Sequence, residues 1–221
     1  YGWAKSANKI LQHTTTLIDN VPAIVFLRHS QREEPEKGLD LKTVRPSPEL
    51  IAQLNGAILT EEGRLAAIEF GRALPHSRAY RIFHSPFKRC AETAHSMFDG
   101  IQSHTLNVEV KGELTELLDM KCDEKKEKEY IRRDGLQYFQ NWFSGRYPPN
   151  EMSPLSEYAK RVAIKLKELH QSAKLDTFDI FISHDFHILV LFFYWASLFQ
   201  FNEWVHYLDG FILQLIDDKM H

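Results

Sequence analysis

The sequence predicts an α/β fold: a three-layer α/β/α sandwich with a mostly parallel central sheet and an inserted loop or helix lid. Three observations carry this reading. Short apolar runs at residues 23–27 (AIVFL), 80–84 (YRIFH) and 178–182 (FDIFI) have the length and composition of buried strands. Between them lie stretches with apolar residues at helical spacing, the alternation expected of parallel strands joined by crossover helices. Two of the runs also lead straight into a histidine, at Arg28-His29 and at Ser183-His184. A strand interior does not favour those residues, so the chemistry outside the strand must need them.

Taken in order, the strand at 23–27 is followed by a polar segment carrying Pro35, Pro46 and Pro48. Its length, from 31 to 59, is that of a functional or partly ordered lid. Thr60-Glu61-Glu62 supplies a helix N-cap and an acidic first turn. Leu65, Ile68, Phe70 and Leu74 mark the apolar face of that helix, which stops at Pro75. After the strand at 80–84, Ser85-Pro86 opens another helix with Pro at its first position, running to about Phe98. This places Arg89 one turn into the helix.

Residues 105–110 alternate like an edge strand. The segment from Cys122 to Asn150 begins with a mixed-charge helical stretch and breaks at Gly145-Arg146-Tyr147-Pro148-Pro149; it reads as a solvated cap or lid. An amphipathic helix at 153–169 shows Leu155, Tyr158, Val162, Leu166 and Leu169 on one face. A buried helix follows His184, and 211–216 forms a late strand. The 221 residues thus form one domain with lid segments at about 31–59 and 122–150.

The bulk chemistry narrows the function. A net charge of −3 gives no overall basic field, so nucleic acid is not an expected partner and any anion site must be local. Cys90 and Cys122 do not make a disulfide framework or a metal cluster, and Cys90 reads as a small buried apolar residue. No GxxxxGK[ST] occurs. The apolar run 188–201 is too short to span a bilayer comfortably and leaves room for pairing with a second copy. No signal peptide is visible at the first residues, so the expected location is cytoplasmic, with a removed signal peptide left open.

Strand-end histidines in an α/β sheet can face one crevice, because ligands sit at the carboxyl ends of the strands. Arg28, Arg32 and Arg89 offer planar forks suited to one phosphoryl group. The whole pattern resembles the histidine phosphatase superfamily, which includes phosphoglycerate mutase-like enzymes and acid phosphatases. RHSQR stands where that family has Arg-His-Gly; LTEEGRLAA, SPFKRCAETA and SHD follow in the family's order. Ser30 departs from the usual glycine, and its hydroxyl offers a further phosphate hydrogen bond.

The resemblance implies a metal-independent phosphatase that needs no cofactor and hydrolyses a phosphomonoester through a phosphohistidine on His29. Arg28, Arg32, Arg89 and His184 would hold the phosphoryl oxygens. The general acid is Asp185, as in the acid-phosphatase branch, or Glu116 of Leu114-Thr115-Glu116, as in the mutase-like branch. A phosphomutase and a non-catalytic phosphate-binding member are the alternatives on the same fold. The expected partner is a phosphorylated small molecule or, as a second option, a phosphoprotein. His187, one turn beyond His184, is expected to pack or support rather than react. Lys121, Arg132, Arg133 and Arg146 are expected to be solvated surface charges, as is Arg45.

Overall fold

The computed structural model describes residues 2–18, 21–34, 53, 55–174, 176–197, 204–216 and 219–220. Its strands are β1 (Ala23–Arg28), β2 (Ala79–His84), β3 (Val108–Glu113), β4 (Thr177–Ser183), β5 (Gly210–Ile216) and the two-residue β6 (Lys219–Met220). Among the described residues they line up as β3-β2-β4-β1-β5-β6. β3, β2, β4 and β1 are mutually parallel, and β5 runs antiparallel to β1. The helices are α1 (Gly2–Thr14), α2 (Glu61–Arg72), α3 (Lys88–Gln102), α4 (Glu124–Asp134), α5 (Tyr138–Phe143), α6 (Leu155–Gln171) and α7 (Asp185–Ala196).

Side-chain alternation along the strands divides the core into two layers. Ala23, Val25 and Leu27 of β1 join Tyr80, Ile82, Phe178 and Ile180 on the face covered by α1, α2 and α3. Ile24 and Phe26 join Phe83 and Phe181 on the opposite face, beneath α4 to α7. The sheet is therefore buried on both sides, which is why its central strands read as continuous apolar runs. The three-layer expectation is met.

Several boundaries differ from the sequence reading, each for a local reason. The helix expected at Ser85-Pro86 starts at Lys88, with Phe87 as N-cap. Ser85 is kept extended because its N–H donates to Ile182 O at 2.9 Å, continuing the β2–β4 ladder by one residue. Arg89 is consequently the second residue of α3 rather than one turn in. The edge strand lies at Val108–Glu113, because the His104 and Thr105 N–H groups still donate to Ile101 O at the end of α3. Leu65 is 53 % exposed, so the buried stripe of α2 runs through Gly63, Ala66, Ala67 and Phe70 instead. The N-cap of α2 is Thr60 as expected, with its Oγ1 accepting from Gly63 N–H at 2.9 Å.

α1 was not expected at all. Its apolar stripe is thin, Ala7 and Ile10, and only docking beside β5 gives it a buried face. Of the mixed-charge segment, α4 keeps most of its charged side chains outward, although Asp134 is largely covered and accepts from Tyr147 and Asn141; Tyr130, Tyr138, Trp142 and Tyr147 are buried in the core. The other expected lid, 31–59, lies for the most part outside the described residues, and so does Arg45. The helix after His184 ends at Ala196, where Ser197 takes a left-handed φ of 52°, and the rest of the run to 201 lies outside the described residues. No helix among the described residues is long and apolar enough to cross a membrane.

Candidate active site

The carboxyl ends of β1, β2 and β4 bring the predicted residues together. His29 follows β1, Ser85 follows β2 and His184 follows β4, and all three are buried. The two imidazoles stand 5.5 Å apart between centroids at 65°. Arg89, on the first turn of α3, lies between them. Its Nε donates to His29 Nε2 at 3.0 Å, and its Nη2 pairs with His184 Nδ1 at 3.2 Å. Arg89 Nη1 also donates to Asn55 O at 3.3 Å, while Glu92 faces Arg64 and Lys88 and accepts from Leu59 N–H.

These bonds define the tautomers. His29 Nδ1 donates to Ser30 O at 2.8 Å, which leaves Nε2 with its lone pair toward Arg89. His184 Nδ1 accepts from the guanidinium, so its Nε2–H donates to Ser85 Oγ at 2.8 Å. Burial, then the charges of Arg28 and Arg89, hold the pKa of His29 well below the ordinary histidine value. Burial is again the main cause for His184, with His187, His29, Arg89 and Arg28 adding to it. Both rings are therefore neutral at pH 7, the state in which an imidazole nitrogen is nucleophilic.

The backbone around His29 is fixed from behind. Ser30 N–H donates to Thr93 Oγ1 at 3.0 Å, and Ser30 Oγ donates to Gly63 O at 2.7 Å. The serine hydroxyl thus gives its proton to the backbone of α2, which corrects the expectation that it would offer that proton to a phosphate. Gly63 is required for this approach, since a Cβ there would lie 2.1 Å from Gln31 O. Ser30 itself avoids positive φ, so the replacement of glycine carries no backbone strain.

Arg28 and Asp185 form a pair on the rim. Arg28 Nη2 lies 3.0 Å from Asp185 Oδ2, its Nη1 donates to Val205 O at 2.6 Å, and its guanidinium carbon sits 4.3 Å from the centre of the Tyr207 ring. Trp204 Nε1–H donates to the same Asp185 Oδ2 at 2.8 Å. Burial pushes the Asp185 carboxyl up, but Arg28 and then Trp204 more than offset this and hold it below the usual carboxylate range.

The other predicted residues sit differently. Arg32 is half-buried and makes an isolated bridge with Leu59; its side chain reaches Glu33 O at 3.5 Å. Glu116 lies in a short 3-10 turn, Thr115–Leu117, where Lys165 Nζ of α6 is 3.5 Å from its carboxylate. His187 donates to Leu118 O at 3.0 Å and lies edge-on to Tyr158; burial lowers its pKa to about 4. Cys90 is fully buried with Sγ 3.7 Å from His184 Nε2, and burial pushes its thiol up to about 12. Among the outer cations, Lys121 pairs with Asp119 and Arg133 with Asp134.

Sequence reasoning missed Ser85, Thr93, Trp204 and Tyr207. Ser85 had a signal, since it directly follows a strand that ends at the same sheet edge. Trp204 and Tyr207 had none, because they reach the site only through the antiparallel course of β5. Arg28 N–H donates to Asp209 O and Leu208 N–H to Arg28 O, which ties their segment to the end of β1. Gly210 permits that contact, since a Cβ there would lie 1.8 Å from Phe26 O.

With this geometry in place, the chain can be assigned: it belongs to the histidine phosphatase superfamily (branch 1), whose family model matches residues 24–207. Among solved structures it is similar to Bacillus stearothermophilus YhfR, with a TM-score of 0.59, 16 % identity and coverage of 90 % of this chain and 94 % of that one. It is also similar to a phosphoglycerate mutase from Bacillus anthracis, with a TM-score of 0.57, 15 % identity and coverage of 92 % of each chain. A mycobacterial glucosyl-3-phosphoglycerate phosphatase complexed with inorganic phosphate aligns with a TM-score of 0.53, 18 % identity and coverage of 88 % and 89 %. At these identities the likeness is one of fold. No curated protein sequence matches the chain.

Proposed function

We propose that this protein is a phosphatase that hydrolyses a phosphomonoester through a covalent phosphohistidine on His29. The observation that carries the reading is Arg89, whose guanidinium faces the bare Nε2 of His29 and the Nδ1 of His184 at once. An incoming phosphoryl group turns Arg89 toward its own oxygens, which supplies the positive charge in the place where the transition state accumulates negative charge. Arg28 is the second cation in reach, and Arg32 adds to the local field from the rim.

In the first step the phosphoryl group draws Arg28 away, and Asp185 takes up the proton that a monoanionic ester brings. The His29 Nε2 lone pair then forms a bond to phosphorus as the ester P–O bond breaks, and Asp185 passes that proton to the leaving oxygen. In the second, Asp185 withdraws a proton from water. The water oxygen attacks phosphorus, the N–P bond breaks, and inorganic phosphate and neutral His29 are released. His184 donates its Nε2–H to a transferring oxygen, drawn from Ser85 Oγ, which holds the ring in the free enzyme. No step requires a metal ion, because guanidinium and imidazole groups supply the charge stabilisation.

Asp185 is preferred to Glu116 because it shares its ion pair with Arg28, next to His29, whereas the Glu116 carboxylate faces Lys165 on α6. The test is steady-state hydrolysis of p-nitrophenyl phosphate and of an alkyl phosphate from pH 4 to 8, with chelator present. Wild-type turnover that is lost in His29→Ala, with acid-labile phosphate trapped on wild type but not on the variant, is the expected result. Loss of an Arg89 donor costs roughly 3–4 kcal/mol in the transition state. Trapped phosphoenzyme that transfers to an added alcohol in preference to water would replace the phosphatase by a mutase. Failure to label His29 with any phosphodonor would overturn the enzymatic reading.

A further inference from the structure

Beyond the imidazoles, the rim near Asp185 is built from aromatic rings. Trp204 is 43 % exposed and Phe139 38 % exposed. Phe139 packs on Phe186 with centroids 4.4 Å apart and on Trp204 at 6.3 Å. Phe186, the residue after Asp185, is buried and backed by Trp142 at 5.8 Å and Phe143 at 5.5 Å. The patch is therefore a supported surface and not two stray side chains. Exposed aromatic surface continuous with a reactive site is the usual construction of a ligand pocket.

The indole is also tied to the chemistry. Its Nε1–H donates to Asp185 Oδ2 at 2.8 Å, the oxygen that Arg28 Nη2 approaches at 3.0 Å. An alcohol oxygen protonated by Asp185 would therefore lie within one carboxylate group of the indole N–H.

We infer that Trp204 and Phe139 form a subsite for the alcohol portion of the ester, and that the substrate is a phosphomonoester of a planar aromatic alcohol. This rests on Asp185 being the acid, since that role puts the leaving oxygen next to the indole. The acid's own setting agrees with it. A phenolic oxygen has a pKa of about 10, against about 16 for water, and so needs less help from a proton as it departs. An acid that Arg28 and Trp204 hold toward its ionised form suits such a leaving group better than an alkoxide.

The experiment measures binding apart from chemistry. Benzylphosphonate, cyclohexylmethylphosphonate and methylphosphonate have no ester bond to break and compete with substrate for the full-length protein. Benzylphosphonate should bind about three- to tenfold more tightly than cyclohexylmethylphosphonate, the gain expected of ring-on-ring contact over equal apolar bulk. That margin should vanish in Phe139→Leu and in Trp204→Leu but persist in Trp204→Phe, which keeps a ring and loses only the N–H. Equal binding of the two bulky phosphonates, or a margin that survives both leucine variants, overturns the subsite. Failure of the acid assignment is read separately: alkyl phosphate hydrolysis by Asp185→Asn at the wild-type rate removes Asp185 as acid and leaves the phosphonate ranking as it was.

Discussion

Two of the arginine–aspartate pairs among the described residues differ in almost every respect. Arg81 and Asp179 stand at matching register on the neighbouring parallel strands β2 and β4. Arg81 Nε meets Oδ1 and Nη2 meets Oδ2, both at 2.6 Å, and the remaining donors go to Ser172 Oγ and Leu169 O. Asp179 is 1 % exposed. Arg28 and Asp185 share one contact at 3.0 Å, with side-chain exposures of 13 % and 27 %. Arg28 spends its other groups on a carbonyl and on the Tyr207 ring, and its Nε is buried without a partner among the described residues. The first pair is bidentate and closed, as a structural arginine should be. The second is single-pronged and divided, so an incoming anion can draw the arginine away without leaving a buried charge behind.

The strongest way to break this contrast is kinetic. Asp185→Asn should reduce kcat for a simple alkyl phosphate by about 10²- to 10⁴-fold, the usual contribution of a general acid. Its thermal midpoint should fall by much less than that of Asp179→Ala, since the pair is partly exposed, and a cooperative collapse of the fold would instead make the pair structural. Asp179→Ala should do the reverse, lowering the unfolding free energy in urea by about 3 kcal/mol, because the partly buried Arg81 loses its carboxylate and keeps only Ser172 Oγ and Leu169 O. Activity per folded molecule should remain intact. Replacing both partners by apolar residues, Arg81→Met with Asp179→Leu, should recover much of the loss.

A smaller effect separates the site from the rest of the fold by pH. His29, His184 and His187 all have folded pKa values below the ordinary value near 6.5. The unfolded chain then binds more protons, so stability falls as pH drops below about 6.5. For His187 alone, whose folded value is about 4, the loss between those limits is roughly 3 kcal/mol. Denaturant unfolding at pH 6.5 and pH 4.5 should show this slope, and His187→Gln should flatten it. Asp185 acts at lower pH, since its depressed carboxyl contributes stability above about pH 4 that is lost as pH falls through its folded value. The smallest expected change is Tyr207→Leu, which removes the ring under Arg28. A two- to fivefold fall in KM, because the free enzyme no longer gives up about 0.5–1 kcal/mol of cation–π attraction when an anion draws Arg28 away, would show that the aromatic face helps to park the arginine.

Much of this was legible in the sequence. The strand-end histidines, the arginine after the second strand and the capping threonine at position 60 are written in short stretches, where spacing along the chain is nearly spacing in space. The errors came where a local signal met a long-range partner. Pro86 would open a helix by itself, yet the ladder bond from Ser85 to Ile182 delays it to Lys88. Leu65 fits the helical period, but the face of α2 that packs is chosen by α3. Ser30 was read for what its hydroxyl offers a ligand, whereas the backbone of α2 behind it already takes the proton.

By itself, the sequence determined which strands are buried on both sides, which residues sit at their carboxyl ends, and that those residues suit an anion. Periodicity and residue type are local, and they suffice for that. Only the tertiary structure decided that β5 runs antiparallel beside β1, carrying Trp204 and Tyr207 to the site, and that Arg28 turns to Asp185 while Arg89 takes the space between the imidazoles. Strand direction and the choice of partner for a long charged side chain depend on groups more than 150 residues away in the chain, such as Asp185 opposite Arg28, and no pattern within a short window encodes them.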